Sequence, residues 1–168
     1  QRTGSFKFRG AYNKISRIPE EARPRGVVAF SSGNHAQGVA AASTMMGIAS
    51  TIIMPKNAPK AKIENTRALG GDVILYDRET ESREEIGEKL QAERGATLVR
   101  PYDDPMIISG QGTVGIEIAE QSAELGVIPD IVITPAGGGG LVSGTALGIS
   151  GTINCPVYSA EPATFDDT

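Results

Sequence analysis

Four consecutive glycines, Gly137, Gly138, Gly139 and Gly140, lie between an apolar segment and a segment with helical character. Ordering such a run costs much chain entropy on folding, so the run indicates a function that needs backbone without side chains. A strand end followed by glycines and the start of a helix presents backbone N–H groups to an anion. The run therefore predicts a phosphate-binding loop. The alternative interpretation is a tight turn that binds nothing.

A dinucleotide site is the main alternative ligand site for this loop. Glu161 lies about 20 residues after the glycines, where an acid that binds ribose would be expected. However, the G-x-G-x-x-G spacing fails, because its third position is Val142 or Ser143. A lysine of the P-loop type is also missing after the glycines. A compact monophosphate fits this pattern better than a pyrophosphate.

Apolar runs and helical patterns alternate along the whole chain. Apolar runs predict strands at residues 26–30, 51–54, 72–76, 97–99, 130–134 and 156–160. Helical spacing predicts helices at residues 8–18, 34–47, 59–69, 79–94 and 106–125, and a last helix from the glycines to residue 149. Strands that are apolar on both faces and alternate with helices predict a parallel α/β fold.

Composition excludes several classes of protein. The net charge of -4 is mild and the basic residues are not clustered, so we expect no nucleic-acid partner. No apolar run reaches the roughly 18 residues of a membrane span. Cys155 is the single cysteine, so an internal disulfide is excluded, which favours the cytoplasm, and we expect a small buried side chain there.

Lys7 lies in the segment T-G-S-F-K-F-R-G-A. A lone lysine is usually a solvated surface charge, but Phe6, Phe8 and the small neighbours are atypical of an exposed helix face. An amine in a partly apolar site has a lowered pKa and can form a Schiff base. Lys7 is therefore a candidate for holding an aldehyde cofactor.

The segment S-S-G-N-H-A-Q-G begins at Ser31, after a predicted buried strand and at the start of a predicted helix. Its backbone N–H groups can bind a carboxylate, and Asn34 can also serve as the N-cap of the helix. His35 is the single histidine, which excludes a histidine metal cluster and leaves serine–histidine hydrolysis without a clear set of partners. We interpret His35 as structural, with a role towards the substrate as the alternative.

Together, S-F-K-F-R-G-A, S-S-G-N-H-A-Q-G and G-G-G-G-L resemble the fold-type II pyridoxal-phosphate enzymes, specifically the serine/threonine dehydratase and serine racemase family. The resemblance runs through essentially all 168 residues in the same order. It implies an α/β fold of the tryptophan synthase β type with two parallel-sheet domains, of which this sequence is expected to be a part. Residues 1–25 and 106–168 would belong to the large domain that binds pyridoxal 5′-phosphate (PLP), and residues 26–105 would form the small domain.

The resemblance also implies roles for individual residues. Lys7 would be the Schiff-base lysine and the acid or base at the substrate Cα, and Ser32 would be the second catalytic residue in a racemase. The cofactor would contact Phe6, Lys7, Asn34, Gly137, Gly138, Gly139, Gly140 and Leu141. The substrate carboxylate would face Ser31, Ser32, Asn34 and His35. The partner of the pyridine nitrogen would lie beyond Thr168.

An acidic segment, A-E-P-A-T-F-D-D, ends the sequence before Thr168. It is either a solvated loop or a site for a hard divalent cation, which prefers oxygen ligands. The segment is similar to the metal loop of the racemase-like branch. That similarity implies Mg²⁺ or Ca²⁺ bound by the carboxylates of Glu161 and Asp167 and the backbone carbonyl of Phe165.

The predicted activity is a PLP-dependent ammonia-lyase that converts L-threonine or L-serine to a 2-oxo acid and ammonia. Ser31 and Ser32 look racemase-like, whereas the following A-Q-G is similar to a threonine dehydratase, so serine racemase and 3-hydroxyaspartate ammonia-lyase stay open as alternatives. A cysteine-synthase-like enzyme ranks lower. A phosphate- or nucleotide-sensing α/β module is the alternative from another class. The resemblance further implies a homodimer with a small amino acid as substrate.

Overall fold

The structure is a computed structural model, and it describes residues 1–164. By its internal contacts the chain divides into two compact units, Gln1–Pro101 and a second unit that starts at Tyr102. The predicted domain limits, residues 1–25 with 106–168 and residues 26–105, concern the complete family enzyme and stay a prediction.

The first unit alternates helices and strands as the apolar pattern predicts. Two short 3₁₀ helices, Arg2–Gly4 and Glu20–Arg25, flank the first α-helix. The regular elements are α1 Lys7–Ser16, β1 Val27–Phe30, α2 Asn34–Met45, β2 Ser50–Pro55, α3 Lys60–Ala68, β3 Asp72–Tyr76, α4 Arg83–Arg94 and β4 Thr97–Leu98.

Four parallel strands form one sheet in the order β3-β2-β1-β4. Val28 of β1 pairs with Thr51 on one side and with Leu98 on the other. Because side chains alternate across a strand, Val28 and Ile53 reach one face of the sheet, where they pack with Leu90 of α4. Helix α2 contacts β1 and β2 and is buried along most of its length. The parallel α/β class predicted from the sequence is confirmed.

Helix α4 begins at Arg83, four residues later than predicted. Ser82 is its N-cap, and the Ser82 Oγ accepts a hydrogen bond from the Glu85 N–H at 3.2 Å. Ahead of this cap, the Asp77 N–H donates to the Glu81 carboxylate at 2.6 Å and closes a turn. Serine followed three residues later by glutamate is the sequence signature of a helix start. The spacing of Ser82 and Glu85 therefore indicates the start of α4 that the structure shows.

The second unit contains α5 Pro105–Glu124, β5 Val132–Pro135, α6 Gly140–Ser150 and β6 Val157–Ala160. Strands β5 and β6 are parallel, with Ile133 opposite Tyr158. Asp104 caps α5, because its carboxylate accepts from the Met106 N–H at 2.8 Å and from the Ile107 N–H at 3.3 Å.

Helices α5 and α6 meet backbone to backbone. A Cβ added at Gly115 or Gly144 would overlap a backbone carbonyl oxygen of the other helix, that of Thr145 or Ile108. A Cβ at Gly112 would lie 3.1 Å from the Gly144 carbonyl oxygen. Gly112 and Gly115 of α5 therefore have a packing function, and they set how closely α6 lies against α5.

Within residues 1–164, no helix combines the length and the apolar character that crossing a membrane would require. Cys155 is buried and its thiol is free, as expected for a small apolar side chain.

We expect Gly144→Ala to lower the free energy of unfolding of the full-length protein by about 1–3 kcal/mol, because the added methyl has no space at the helix crossing. Gly151→Ala is the matched control, since the nearest atom to its added Cβ is 3.9 Å away and its φ of -84° suits alanine. Chemical denaturation of both variants measures the difference. Equal stability of the two variants would contradict the backbone-to-backbone packing.

Candidate active site

Lys7 is the first residue of α1, and Phe6 is its N-cap. The side chain is half-buried, and its Nζ donates a hydrogen bond to the Pro101 carbonyl oxygen at 2.6 Å. The Nζ also lies 5.2 Å from the centroid of the Phe6 ring. Burial lowers the pKa of the Lys7 amine, because the ammonium loses water on entering the protein. The fraction of uncharged, nucleophilic amine is therefore higher than for an exposed lysine.

Helix α1 packs on α2 at Gly38. A Cβ at Gly38 would lie 3.0 Å from the Phe8 nitrogen and 3.1 Å from the Lys7 carbonyl carbon. Both distances are tighter than an ordinary contact, so the absence of a side chain brings the backbone of Lys7 against α2. In the sequence, Gly38 is only the last residue of the motif S-S-G-N-H-A-Q-G, and no local pattern predicts its contact with the backbone of Lys7 and Phe8.

The loop from Ser31 to Gly33 connects β1 with α2. The Ser31 Oγ accepts a hydrogen bond from the Gly33 N–H at 3.2 Å. Gly33 is the N-cap of α2 and Asn34 is its first helical residue, so the assignment of Asn34 as N-cap is wrong. The physical reason is that the chain turns at Gly33, and no side chain caps the helix start. Asn34 is exposed, and its Oδ1 accepts from the Lys62 Nζ at 2.7 Å, a contact that sequence reasoning missed.

His35 lies in the first turn of α2 and is only 2% exposed. Its Nε2 is 2.9 Å from the Val99 carbonyl oxygen, which can only accept, so the Nε2 carries the proton. Burial lowers the pKa of His35 to about 4, the Val99 bond opposes this shift, and the Lys7 charge adds to it. The Nδ1 is buried and has no hydrogen-bond partner within the described residues. The ring is therefore a neutral, anchored group at neutral pH.

The glycine run joins β5 to α6. The Ala136 N–H is bonded to the Ala160 carbonyl, whereas Gly137 and Gly138 are exposed. Gly139 is the N-cap of α6 with a φ of 72°, a left-handed conformation that favours glycine. No side chain caps this helix start, and the half-buried Leu141 lies in its first turn.

Tyr102 packs on the glycine run and was not singled out in the sequence. A Cβ at Gly138 would overlap the Tyr102 ring, and a Cβ at Gly140 would lie 3.2 Å from the Tyr102 Cβ. The backbone of the run therefore lies directly on an aromatic ring. A Cβ at Gly137 would meet no atom of the described residues within 4 Å.

The predicted metal ligands fall largely outside the structure. Glu161 is described, whereas Phe165 and Asp167 lie outside the described residues. Across residues 1–164, no group of three or more histidine, cysteine, aspartate or glutamate side chains is placed to hold a metal ion. Binding of Mg²⁺ or Ca²⁺ stays a prediction.

The residues present fit a phosphate-bearing aldehyde such as PLP. Lys7 is a half-buried amine of lowered pKa next to an aromatic ring, and α6 has an uncapped start behind exposed glycines. An amine of this kind can bond to an aldehyde, and a helix start of this kind can bind a phosphate. Fold and candidate residues together define the α/β class of PLP-binding proteins.

The chain belongs to the family described as pyridoxal-phosphate dependent enzyme, whose family model matches residues 1–168. It is 48% identical to an L-threo-3-hydroxyaspartate ammonia-lyase of Pseudomonas sp. over 99% of this chain and 51% of that protein. It is 50% identical to an L-threonine ammonia-lyase of Thermotoga maritima over 89% of this chain and 36% of that protein.

The fold of this chain is also found in solved structures of similar proteins. A maize serine racemase matches with a TM-score of 0.90 and 43% identity, over 99% of this chain and 50% of that chain. The chain spans about half the length of the hydroxyaspartate ammonia-lyase and the serine racemase named here, and 36% of the threonine ammonia-lyase. The fold-type II class predicted from the three motifs is confirmed.

We expect the stability of the full-length protein to fall between about pH 6.5 and pH 4 in a way that depends on His35. The folded-state pKa of His35 is depressed to about 4. The unfolded state therefore binds the proton first, and the stability present above about pH 6.5 is lost as the pH falls towards 4. The linked loss reaches about 3 kcal/mol.

Urea denaturation at several pH values, for the wild type and for His35→Gln, isolates this contribution from that of the carboxylates. The wild type should lose more stability than the variant over this range. Parallel curves for the two proteins would show that His35 titrates normally.

We expect Gly138→Ala to weaken PLP binding by about tenfold or more, because the added methyl displaces the Tyr102 ring and distorts the run. Adding Tyr102→Ala removes the overlapping ring and should recover much of the loss. Equilibrium titration of the full-length protein measures each affinity. Additive losses in the double variant would contradict this coupling.

Proposed function

We propose that the full-length protein is a PLP-dependent ammonia-lyase that acts on small β-hydroxy amino acids and releases a 2-oxo acid and ammonia. The observation that carries the proposal is Lys7, a half-buried amine of lowered pKa held against α2 by the close contact at Gly38. Relatives named as ammonia-lyases for threonine and for hydroxyaspartate support the same reaction class.

Cofactor binding would use the residues that the sequence motifs identify. Lys7 would hold the aldehyde carbon covalently through its amine, with the Phe6 ring nearby. The glycines of residues 137–140 and Leu141 would bind the phosphate through the backbone at the start of α6. Asn34 would bond the ring hydroxyl, and Lys62 would orient it, since the Asn34 Oδ1 is already held at 2.7 Å. When bound, PLP would supply an electron sink for charge that develops at the substrate Cα.

Substrate binding would use the start of α2. The backbone N–H groups of the first turn have no side-chain cap, so they are suited to a carboxylate. Ser31 has its Oγ engaged with the Gly33 N–H and would shape the loop. His35 would contribute through its backbone, because its ring proton is already donated to Val99 and its ring is uncharged at neutral pH.

The substrate amine would replace Lys7 on the aldehyde carbon and free the Lys7 amine, and proton transfer at the substrate Cα would then be the task of Lys7. A lowered pKa brings the amine closer to the operating pH, where a group both accepts and returns a proton efficiently. Departure of the substrate β-hydroxyl then completes the elimination, and a 2-oxo acid and ammonia are formed after hydrolysis. Formation of a homodimer and binding of a metal ion are not part of this scheme and stay predictions.

Serine racemisation is the second candidate function, and Ser32 favours it. Ser32 is half-buried in the loop before α2, and within the described residues its hydroxyl makes no hydrogen bond. A free hydroxyl in this loop would be available to protonate the Cα from a second side. Similarity to the serine racemase of maize supports this candidate.

A panel of three substrates tests the proposal. Full-length protein with PLP is incubated with L-threonine, L-serine and L-threo-3-hydroxyaspartate, while ammonia and 2-oxo acid are measured together with the chirality of the remaining amino acid. Equal release of both products supports an ammonia-lyase and shows which side chain is preferred. Absence of 2-oxo acid from all three would reject it.

We expect Lys7→Ala to lower turnover by at least about 10³-fold, because both the cofactor bond and the proton carrier are lost. Lys14→Ala is the matched control, since Lys14 lies on the same helix outside the proposed machinery. Product formation with the preferred substrate measures the effect. Wild-type turnover in Lys7→Ala would reject the assignment.

We expect Ser32→Ala to reduce racemisation of L-serine by about 100-fold and to leave elimination from L-substrates nearly unchanged, because only one face of the Cα loses its proton carrier. Chiral chromatography and product assays on the same samples separate the two rates. A parallel fall of both rates would show that Ser32 has a shared role.

A further inference from the structure

The backbone carbonyl that holds the Lys7 amine is two residues from another carbonyl held by α2. Lys7 Nζ donates to the Pro101 carbonyl, and the His35 Nε2 donates to the Val99 carbonyl. Both acceptors belong to one short segment that follows β4.

This segment has little freedom to move once Val99 is fixed. The Val99 N–H donates to the Val28 carbonyl at 2.9 Å, so both backbone groups of Val99 are bonded, and its side chain is fully buried. Arg100 precedes a proline, which restricts it to an extended backbone, and Pro101 has a fixed φ. The position of the Val99 carbonyl therefore limits where the Pro101 carbonyl can lie.

One face of helix α2 thus acts on Lys7 in two ways, one direct and one through the segment that follows β4. His35 and Gly38 are three residues apart, so they lie next to each other on the helix surface. Gly38 receives the backbone of Lys7, and His35 anchors the segment whose carbonyl receives the Lys7 amine.

We propose that the His35 side chain is a positioning group, which places the Lys7 amine through the Val99–Pro101 backbone without the ring itself touching Lys7, cofactor or substrate. The role rests on the proposed function in one respect, because it matters for catalysis only if Lys7 is the catalytic amine. The geometric coupling from His35 to Lys7 holds for the protein without cofactor as well.

Two uncharged substitutions distinguish positioning from a general packing role. The amide nitrogen of a glutamine reaches about as far from the backbone as the Nε2 of histidine, so His35→Gln can still donate to the Val99 carbonyl. The amide nitrogen of an asparagine is one bond shorter, so His35→Asn cannot. Because the wild-type ring is neutral at neutral pH, neither substitution changes the charge next to Lys7.

The first readout is the pH profile of Lys7 labelling by an amine reagent, followed by peptide mass spectrometry, in full-length protein freed of cofactor. In His35→Asn the amine should gain solvent, and its labelling midpoint should rise by about one pH unit. His35→Gln should stay close to the wild type. Ile53→Val is the structural control, since it weakens the core on the face of the sheet packed by α4 and should leave the Lys7 midpoint unchanged.

The second readout is turnover with PLP and the preferred substrate. His35→Asn should lower kcat by about tenfold or more with little change in KM, and His35→Gln should restore most of it. An unchanged Lys7 midpoint in a folded His35→Asn protein overturns the proposal, and His35→Leu repeats this test if the asparagine variant does not fold. Failure of the wild type to turn over any substrate would reject the proposed function, while the labelling result would still decide the coupling.

Discussion

The close contact between α1 and α2 at Gly38 is the constraint on which the candidate site depends. A side chain at this position would push away the backbone at Lys7 and Phe8, and the lysine would lose its place against the helix. The contact places an amine where burial lowers its pKa, yet leaves it half-exposed. A lysine with these two properties is suited to bond an aldehyde and to carry a proton.

The second unit uses the same principle at another contact. There the glycines of α5 and α6 remove side chains from a helix crossing, and Gly138 lies on the Tyr102 ring. The result is a helix start whose first backbone N–H groups have no side-chain cap. In both units, glycines that look costly in chain entropy are those that allow the backbone to approach another backbone segment or a ring.

Much of the fold could be predicted from the sequence, because its signals are local. Continuous apolar runs such as Val27–Phe30 identify buried parallel strands, and their alternation with helices defines the class. The late start of α4 at Arg83 was missed although Ser82 and Glu85 carry the signal.

The candidate residues were found as motifs, but their partners were not. Lys7 meets Pro101 and His35 meets Val99 across 94 and 64 residues, and no spacing rule links positions so far apart. Tyr102 was missed for the same reason, since its contact with Gly138 exists only after α5 has folded back on α6. Such contacts need the folded chain, because they are made by packing and not by local propensity.

The most direct test of the central claim is to locate the covalent bond to the cofactor. Full-length protein with PLP is reduced with borohydride, digested and mapped by mass spectrometry. The account predicts that the reduced cofactor is attached to Lys7 in nearly all of the modified protein. Attachment at another lysine, or a protein that retains PLP without any adduct at Lys7, would contradict it.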